Sequence, residues 1–357
     1  MRECKRCLMD ESTRLIDFDD DGNCNYCRDF KNLTYQNLVN DKDNFIEKVK
    51  LDGIGKKYDC IVGVSGGVDS SYVLHLAVQN GLRPLAVHMD NTCNAEIAVS
   101  NISNLVRALN VDLYTHVIKW EEYKDLLLSF MSADVVDLEM LYDNAMWGVN
   151  IKLAKRFKIK YILSGSNSAT EGFKIPKDWN WYKLDKRNIL DIYKSGGGTK
   201  KLNSFPFASS FDYASYKFFN RGSWVSFLDY FDYKKDDALD LLREKYSYKP
   251  YPFKHYESVL TRFYQGYILP VKFGIDKRRL HFSNLILTEQ MTRSDAAYKL
   301  SQLPYESEFL LKQDKKFFIK KLGITESQLK NYLSRPVKNH SLYKNESSVI
   351  KILKKLF

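Results

Sequence analysis

The sequence predicts an α/β protein: a parallel sheet with helices on both faces, preceded by a small cysteine-ligated ribbon and followed by a helical C-terminal region. Three observations predict it. The apolar runs "YDCIVGV" (58–64), "RPLAVHMDN" (83–91) and "KYILSG" (160–165) have the length of buried strands. Helical spacing separates them: in "DSSYVLHLAVQNG" the apolar Val73, Leu74, Ala77 and Val78 recur on one face before Gly81, and a second helix is expected around 141–157. Four of the six cysteines fall within the first 27 residues.

Those four are Cys4-x2-Cys7-x16-Cys24-x2-Cys27. Each pair on a tight turn aims two thiolates at one point, and two such knuckles complete a tetrahedral zinc site. The stretch "TRLIDFDDDGNCNYC" reads as strands about a "DDDGN" hairpin turn, so residues 1–30 are expected to be a zinc ribbon. With four protein ligands the metal is closed to substrate and serves folding. A helical connector is expected over 31–56 and the α/β domain over 57–300, carrying an aromatic-rich insertion at about 174–255 with a flexible "SGGG" at 195–198. The aromatic side chains there are expected to pack. Residues 301–357 read as short helices, one starting at Thr325 and Glu326. The last, "SSVIKILKKLF", is amphipathic, with Val349, Ile350, Leu353, Leu356 and Phe357 on one face. It is expected to dock on its own protein rather than on a membrane.

Composition narrows the class. The net charge is +11, but residues 301–357 hold 12 Lys+Arg against 5 Asp+Glu, a surplus of 7, which leaves about +4 for the other 300. The basic character therefore sits in the tail, and nucleic acid is not the expected partner. No apolar run reaches the roughly 18 residues of a membrane span. "MRECKRCLMDE" has no signal-like apolar stretch, so a cytoplasmic location is expected.

The chemistry resides in "GVSGGVDSS" (63–71), between the first strand and its helix. Unpaired backbone N–H groups and the helix dipole favour an anion there. Gly66 and Gly67 allow close approach, and Ser65, Ser70 and Ser71 add hydroxyl donors. The Gly-Lys-Ser/Thr of a Walker loop is absent, as is the Gly-x-Gly-x-x-Gly dinucleotide fingerprint. Asp69 beside a phosphate makes sense with a divalent cation between them.

"SGGVDSS" after a buried strand resembles the PP-loop of the ATP pyrophosphatases, an adenine nucleotide alpha hydrolase-like fold. The resemblance implies that Gly63, Val64, Ser65, Gly66, Gly67, Asp69, Ser70 and Ser71 bind the pyrophosphate of ATP. Ser65 and Asp69 would act directly, Asp69 through Mg²⁺. It places the adenine at the end of the second strand, at His88, Met89 and Asp90. A later loop, "SGSNSATEG" (164–172), would close over the phosphates through Gly165 and Asn167.

Over nearly the whole chain the ribbon, the loop, "TEGFK", "LDKRNILDIY", "FPF" and "KFGIDKRRLHFSNLI…MTRSDAAYKL" together resemble the N-acetyl sugar amidotransferases of bacterial surface-polysaccharide and flagellin-glycan pathways. That resemblance implies conversion of an acetamido group on a nucleotide-activated sugar to an acetamidino group, with release of AMP and pyrophosphate. Ammonia would come from separate glutaminase subunits, similar to the pair that makes imidazole glycerol phosphate in histidine biosynthesis. Lys186 and Arg187, and Lys277 and Arg278 with Arg279, are candidates for the substrate's anionic groups, since Arg grips phosphate or carboxylate bidentately, and Asp276 is expected to bind metal or orient Lys277. Arg278→Ala is accordingly expected to raise KM for the sugar with little change for ATP.

The rival is a PP-loop enzyme that thiolates tRNA. It requires further reactive cysteines. Only Cys60, inside the first strand, and Cys93, in "DNTCN", lie outside the ribbon. Cys93 is the one expected to be exposed.

Overall fold

The computed structural model describes residues 2–31, 36–251 and 256–348. Five strands form one sheet: β1 (Cys60–Gly63), β2 (Pro84–Asp90), β3 (Leu113–Val117), β4 (Tyr161–Ser164) and β5 (Ser223–Ser226). Their order is β3-β2-β1-β4-β5, and every neighbouring pair is parallel. In register, Val62 lies between Ala86 of β2 and Leu163 of β4. Three helices bear on the crevice: α1 (Val68–Gln79), α2 (Met140–Phe157) and α3 (Lys277–Leu287).

Both faces of the sheet are covered, which explains why its central strands read as unbroken apolar runs. Cys60, Val62, Ala86 and Leu163 face a core shared with Val73, Leu74 and Ala77 of α1 and with Ile102, Leu105 and Leu242. Ile61, Leu85, Val87, Met89 and Ile162 face the other core, with Leu126, Phe130, Val149 and Leu153. β5 lies inside the segment expected to be an insertion, so that segment supplies an edge of the main sheet. The "SGGG" stretch is a packed helix end. Gly196 caps the helix Lys186–Ser195, and a Cβ there would strike the backbone of Ser129.

The order sets where a ligand binds. From β1 the chain moves outward through β2 and β3, then returns to the other side of β1 as β4. Such a switch point opens a crevice at the carboxyl ends of β1 and β4. The Gly/Ser loop and "SGSNSATEG" leave the sheet at those two ends.

The N-terminal segment forms isolated bridges, Glu3 to Asp10 and Phe18 to Cys24, instead of the expected hairpin strands, and a helix begins at Asn25. It is fastened to the rest of the protein. Arg279 of α3 reaches Glu3, Asp10 and the Leu8 carbonyl, at 3.0, 2.9 and 2.7 Å. Arg293 reaches Glu3 and the Cys4 carbonyl, and Tyr26 stacks on Phe173. On α3, the buried Asn284 accepts from Phe173 N–H and donates to Ala169 O. The cysteine segment, α3 and the loop after β4 are thus hydrogen-bonded into one body.

Helices at Arg293–Ser301, Glu308–Leu322 and Glu326–Ser334 complete the C-terminal region, the last with Thr325 in a reciprocal capping box with Gln328. The expected amphipathic helix at 347–357 lies almost wholly outside the described residues. Among the described residues, no helix is long and apolar enough to cross a membrane.

Candidate active site

The loop after β1 is built as an anion cradle. Gly67 is the N-cap of α1, and no side chain caps the helix. Its first N–H groups therefore lack the partner that helix ends normally recruit. Gly66 has φ +87° and lies so close to the neighbouring helix that a Cβ would stand 2.7 Å from Ala98 O. The Gly66 carbonyl is turned away from the cradle, accepting from the hydroxyls of Tyr248 at 2.9 Å and Tyr251 at 3.2 Å. Ser65 and Ser70 hydroxyls lie 3.1 Å apart, and Ser70 also accepts from Ser65 N–H. Ser71 is different: its hydroxyl is buried without a partner, so it does not line the cradle.

Gly165 shows how the second loop meets the first. A Cβ on it would stand 2.8 Å from the Ser70 nitrogen, so only glycine lets the end of β4 reach the start of α1. Asn167 is buried and caps the short helix Ser168–Glu171, accepting from Thr170 N–H and donating to Gly165 O. Its role there is to shape the loop.

Carboxylates gather around the cradle. Asp69 accepts from the Tyr233 hydroxyl, and burial together with Asp69 pushes that phenol well above its usual range. A Cβ on Gly67 would stand 2.8 Å from Glu257 Oε1. Asp69 and Glu257, two carboxylates beside helix-terminal amides, would suit a hard dication that offsets phosphate charge.

The end of β2 is held from several sides. His88 is buried: its Nδ1 donates to Val64 O at 2.9 Å, and Nε2 accepts from Asn94 at 3.0 Å. Nδ1 thus ties β2 to the loop after β1 and Nε2 ties it to the segment that follows β2, so both nitrogens are spent on positioning in place of the expected contact with adenine. The Met89 side chain is packed in the core, while its carbonyl accepts from Tyr142 at 2.9 Å. Asp90 accepts from Thr92 N–H and Asn94.

Beyond Tyr142 lies an ionic network that sequence reading missed. Lys183 Nζ is 2.7 Å from both carboxylate oxygens of Asp137 and 3.0 Å from Asp143. Lys277 meets Glu139 at 2.6 Å, and Gln265 donates to the same carboxylate. Tyr264 OH accepts from Asp137 N–H. Tyr264 and Gln265 open a ten-residue π-helix (Tyr264–Phe273), a rare conformation that clusters at functional sites. Burial pushes the Asp143 carboxyl up. Burial acts on Asp137 too, but Lys183 and Lys277 outweigh it and hold that carboxyl down.

The expected substrate cations divide. Lys277 joins this network. Asp276 instead caps α3, and Arg278 spends its guanidinium on Asp276 and the carbonyls of Lys299, Leu300 and Gln302, which leaves it no fork for a substrate. Arg279 clamps the cysteine segment. Lys186 and Arg187 line a surface depression of about 370 Å³ with Leu190, Asp191, Lys344 and Glu346, none of them from the cradle.

The four ribbon cysteines converge. Their sulfurs lie within 4.8 Å of one another and all four are buried. Cys4 to Cys27 is 3.8 Å and Cys7 to Cys24 is 3.7 Å. A tetrahedron with metal–sulfur bonds of about 2.3 Å has edges of about 3.8 Å, so the donors fit zinc in spacing and kind. Backbone N–H groups of Cys7 and Cys24 point at the Cys4 sulfur, as suits a thiolate. Cys60 and Cys93 are both buried, which corrects the expected exposure of Cys93, and burial pushes the Cys93 thiol up to about 11.

A parallel sheet with a Gly/Ser cradle at its switch point defines the class: a PP-loop-type α/β fold with a four-cysteine segment and a helical C-terminal region. Within it, residues 257–357 match the family described as LPS biosynthesis protein WbpG-like, C-terminal domain. No curated protein matches the chain. Similar solved structures include the NMN synthetase from Francisella tularensis, at 15% identity and TM-score 0.30, covering 64% of this chain and 98% of that one. The NH3-dependent NAD synthetase from Campylobacter jejuni, in complex with nitrate, gives 13% and 0.31 over 62% and 100%. The glutamine-dependent NAD+ synthetase from Acinetobacter baumannii, in complex with ADP, gives 15% and 0.34 over 90% of this chain and 53% of that one. At such TM-scores these likenesses place no constraint on activity.

Proposed function

We propose that this chain is an ATP-dependent amidotransferase that converts the acetamido group of a nucleotide-activated sugar to an acetamidino group, forming AMP and pyrophosphate, for surface polysaccharide or flagellin glycan. The observation that carries the reading is the uncapped start of α1 beneath Ser65 and Ser70, with Asp69 and Glu257 beside it. The match of residues 257–357 to a lipopolysaccharide-biosynthesis family supports the sugar.

An amide oxygen is a poor leaving group. Attack of that oxygen on the α-phosphorus of ATP forms an O–P bond and breaks the α–β bridge, whose electron pair leaves with pyrophosphate. The N–H groups at the start of α1 and the Ser65 and Ser70 hydroxyls hold the β- and γ-phosphates and stabilise the charge that gathers on them. Mg²⁺ held by Asp69 would neutralise phosphate charge. Zinc on Cys4, Cys7, Cys24 and Cys27 would keep the N-terminal segment folded against α3. Ammonia, delivered by glutaminase subunits, then displaces AMP from the imidate carbon.

The test combines protein, ATP, Mg²⁺, ammonium and a panel of nucleotide-activated acetamido sugars. AMP and pyrophosphate should form only with the correct sugar, whose product is one mass unit lighter. Turnover stimulated by tRNA and not by any sugar would overturn the reading.

A further inference from the structure

We propose that Asp143 is the base that takes the proton from the attacking ammonia, held in place by a lysine it shares with Asp137. The assignment rests on the amidotransferase activity proposed for this chain and deepens it. That reading gives the cradle, Asp69 and Glu257 to ATP and its cation, while Asp90 accepts from Thr92 N–H and Asn94; the second half of the reaction still needs a proton acceptor.

The geometry places one at α2. Helices of a parallel sheet begin at the ends where its strands finish, so the first turn of α2 stands over the crevice. Tyr142 of that turn bonds the carbonyl of Met89, and its phenol lies within electrostatic reach of Asp143, Asp90 and Glu257. Glu257 borders Gly67 of the cradle. Asp143 thus follows directly on a side chain that bonds the end of β2 and feels the charge of Glu257 at the cradle. The network is deep but open: side-chain exposure is 33% for Asp143, 25% for Lys183 and 24% for Lys277, whereas Asp137 is at 1%.

Lys183 sits in a fork, bonded to both oxygens of Asp137 and to one of Asp143. Asp137 is further held by Trp181 N–H, and Glu139 by Lys277 and Gln265. The groups facing Asp143 are Lys183 from the loop before the helix Lys186–Ser195, Asp137 and Glu139 from the turn into α2, and Tyr123 from the helix Trp120–Ala133. Three carboxylates meet two ammonium groups. Asp143 is the open member with the fewest donors. Its carboxyl is pushed up while Asp137 is held down, and two acids driven apart by their surroundings take different roles. Asp137 anchors the lysine; Asp143 is the one suited to accept a proton.

Atoms and charge balance in the step. The nitrogen lone pair of ammonia forms a bond to the carbon of the O-adenylyl imidate, which still carries the amide N–H proton and a positive charge, and the C=N pair moves to the sugar nitrogen and neutralises it. One N–H proton passes to Asp143. The C–O bond breaks with its pair onto AMP, a nitrogen lone pair closes the amidinium, and Asp143 returns its proton to solvent through the open side.

The test separates the two half-reactions in Asp143→Asn, using the panel of nucleotide-activated acetamido sugars, UDP-N-acetylglucosamine among them. Exchange of labelled pyrophosphate into ATP reports adenylylation without ammonia; ammonium chloride reports the full reaction. The variant should keep sugar-dependent exchange, which also shows that it is folded, and lose about 10²-fold or more in ammonium-dependent AMP formation. The N–H protons of the adduct that hydroxylamine forms are more acidic than those of the ammonia adduct and pass to water more readily without a base, so hydroxylamine should restore much of the lost turnover. A variant with undiminished ammonium-dependent turnover, or equal losses with both amines, overturns the assignment. Loss of exchange together with turnover also overturns it, because Asp143 would then serve ATP. Absence of exchange with every sugar in the unsubstituted protein removes the amidotransferase reading itself, and this assignment with it.

Discussion

Gly66→Ala is the sharpest perturbation of the cradle. A Cβ at this position would lie 2.7 Å from Ala98 O and 2.9 Å from Ala98 Cα. Both are backbone atoms of a helix, so no side-chain rotation relieves the contact. The left-handed φ of +87° costs an alanine about 1–2 kcal/mol, and overpacking adds about 1–3 kcal/mol. The loop escapes only by withdrawing from Ala98, which breaks the bonds from Tyr248 and Tyr251 and swings the amides off the phosphates. Gly55 is the internal control: its φ is +74° with nothing within 4 Å, so Gly55→Ala carries the backbone cost alone. Urea denaturation and calorimetric ATP titration measure the pair. Both variants should lose stability, Gly66→Ala by more. Only Gly66→Ala should weaken ATP binding, by about tenfold or more, equivalent to about 1.4 kcal/mol. Wild-type ATP affinity in a folded Gly66→Ala protein would refute the cradle.

Three more outcomes come from the same geometry. Arg278→Ala should cost about 1–3 kcal/mol in denaturation, since it strips donors from Asp276 and three carbonyls, and should leave KM for the sugar unchanged; a raised KM at unchanged stability would return Arg278 to the substrate. Cys24→Ser should lower zinc content from one per chain, open residues 2–31 to proteolysis, and weaken ATP binding through Phe173 and Asn284; full zinc with an unchanged digest counts against this. His75 is buried against Tyr246, and its pKa is lowered by burial and by Lys245. Below pH about 6.5 the unfolded chain then binds a proton that the folded one resists, so stability falls with falling pH by up to about 1.4 kcal/mol per unit. His75→Asn should flatten that slope in thermal melts, and an unchanged slope would show that another group sets it.

The parts legible in the sequence were those with local signals. Continuous apolar runs marked β1, β2 and β4 because those strands are buried on both faces. β3 has alternating, half-exposed residues as an edge strand, and β5 is the short "SWVS" within an aromatic stretch, so neither announced itself. The cysteine cluster and the Gly/Ser loop were readable because their geometry is dictated by spacing. The ionic network was not: Lys183 finds Asp137 across 46 residues, and Lys277 finds Glu139 across 138. Only the topology joins them. The aromatic stretch looked like packing and in part is, yet the hydroxyls of Tyr233, Tyr248 and Tyr251 hold Asp69 and Gly66. Burial likewise decided against Arg278, whose composition suited a substrate and whose neighbours claimed it.

The most direct measurement tracks the acetamido oxygen itself. With the carbonyl of the sugar's acetamido group labelled with ¹⁸O, turnover with ATP and ammonium should deliver the label to the phosphate of AMP, alongside unlabelled pyrophosphate. ADP and inorganic phosphate as products, or AMP free of label, would contradict attack by that oxygen on the α-phosphorus.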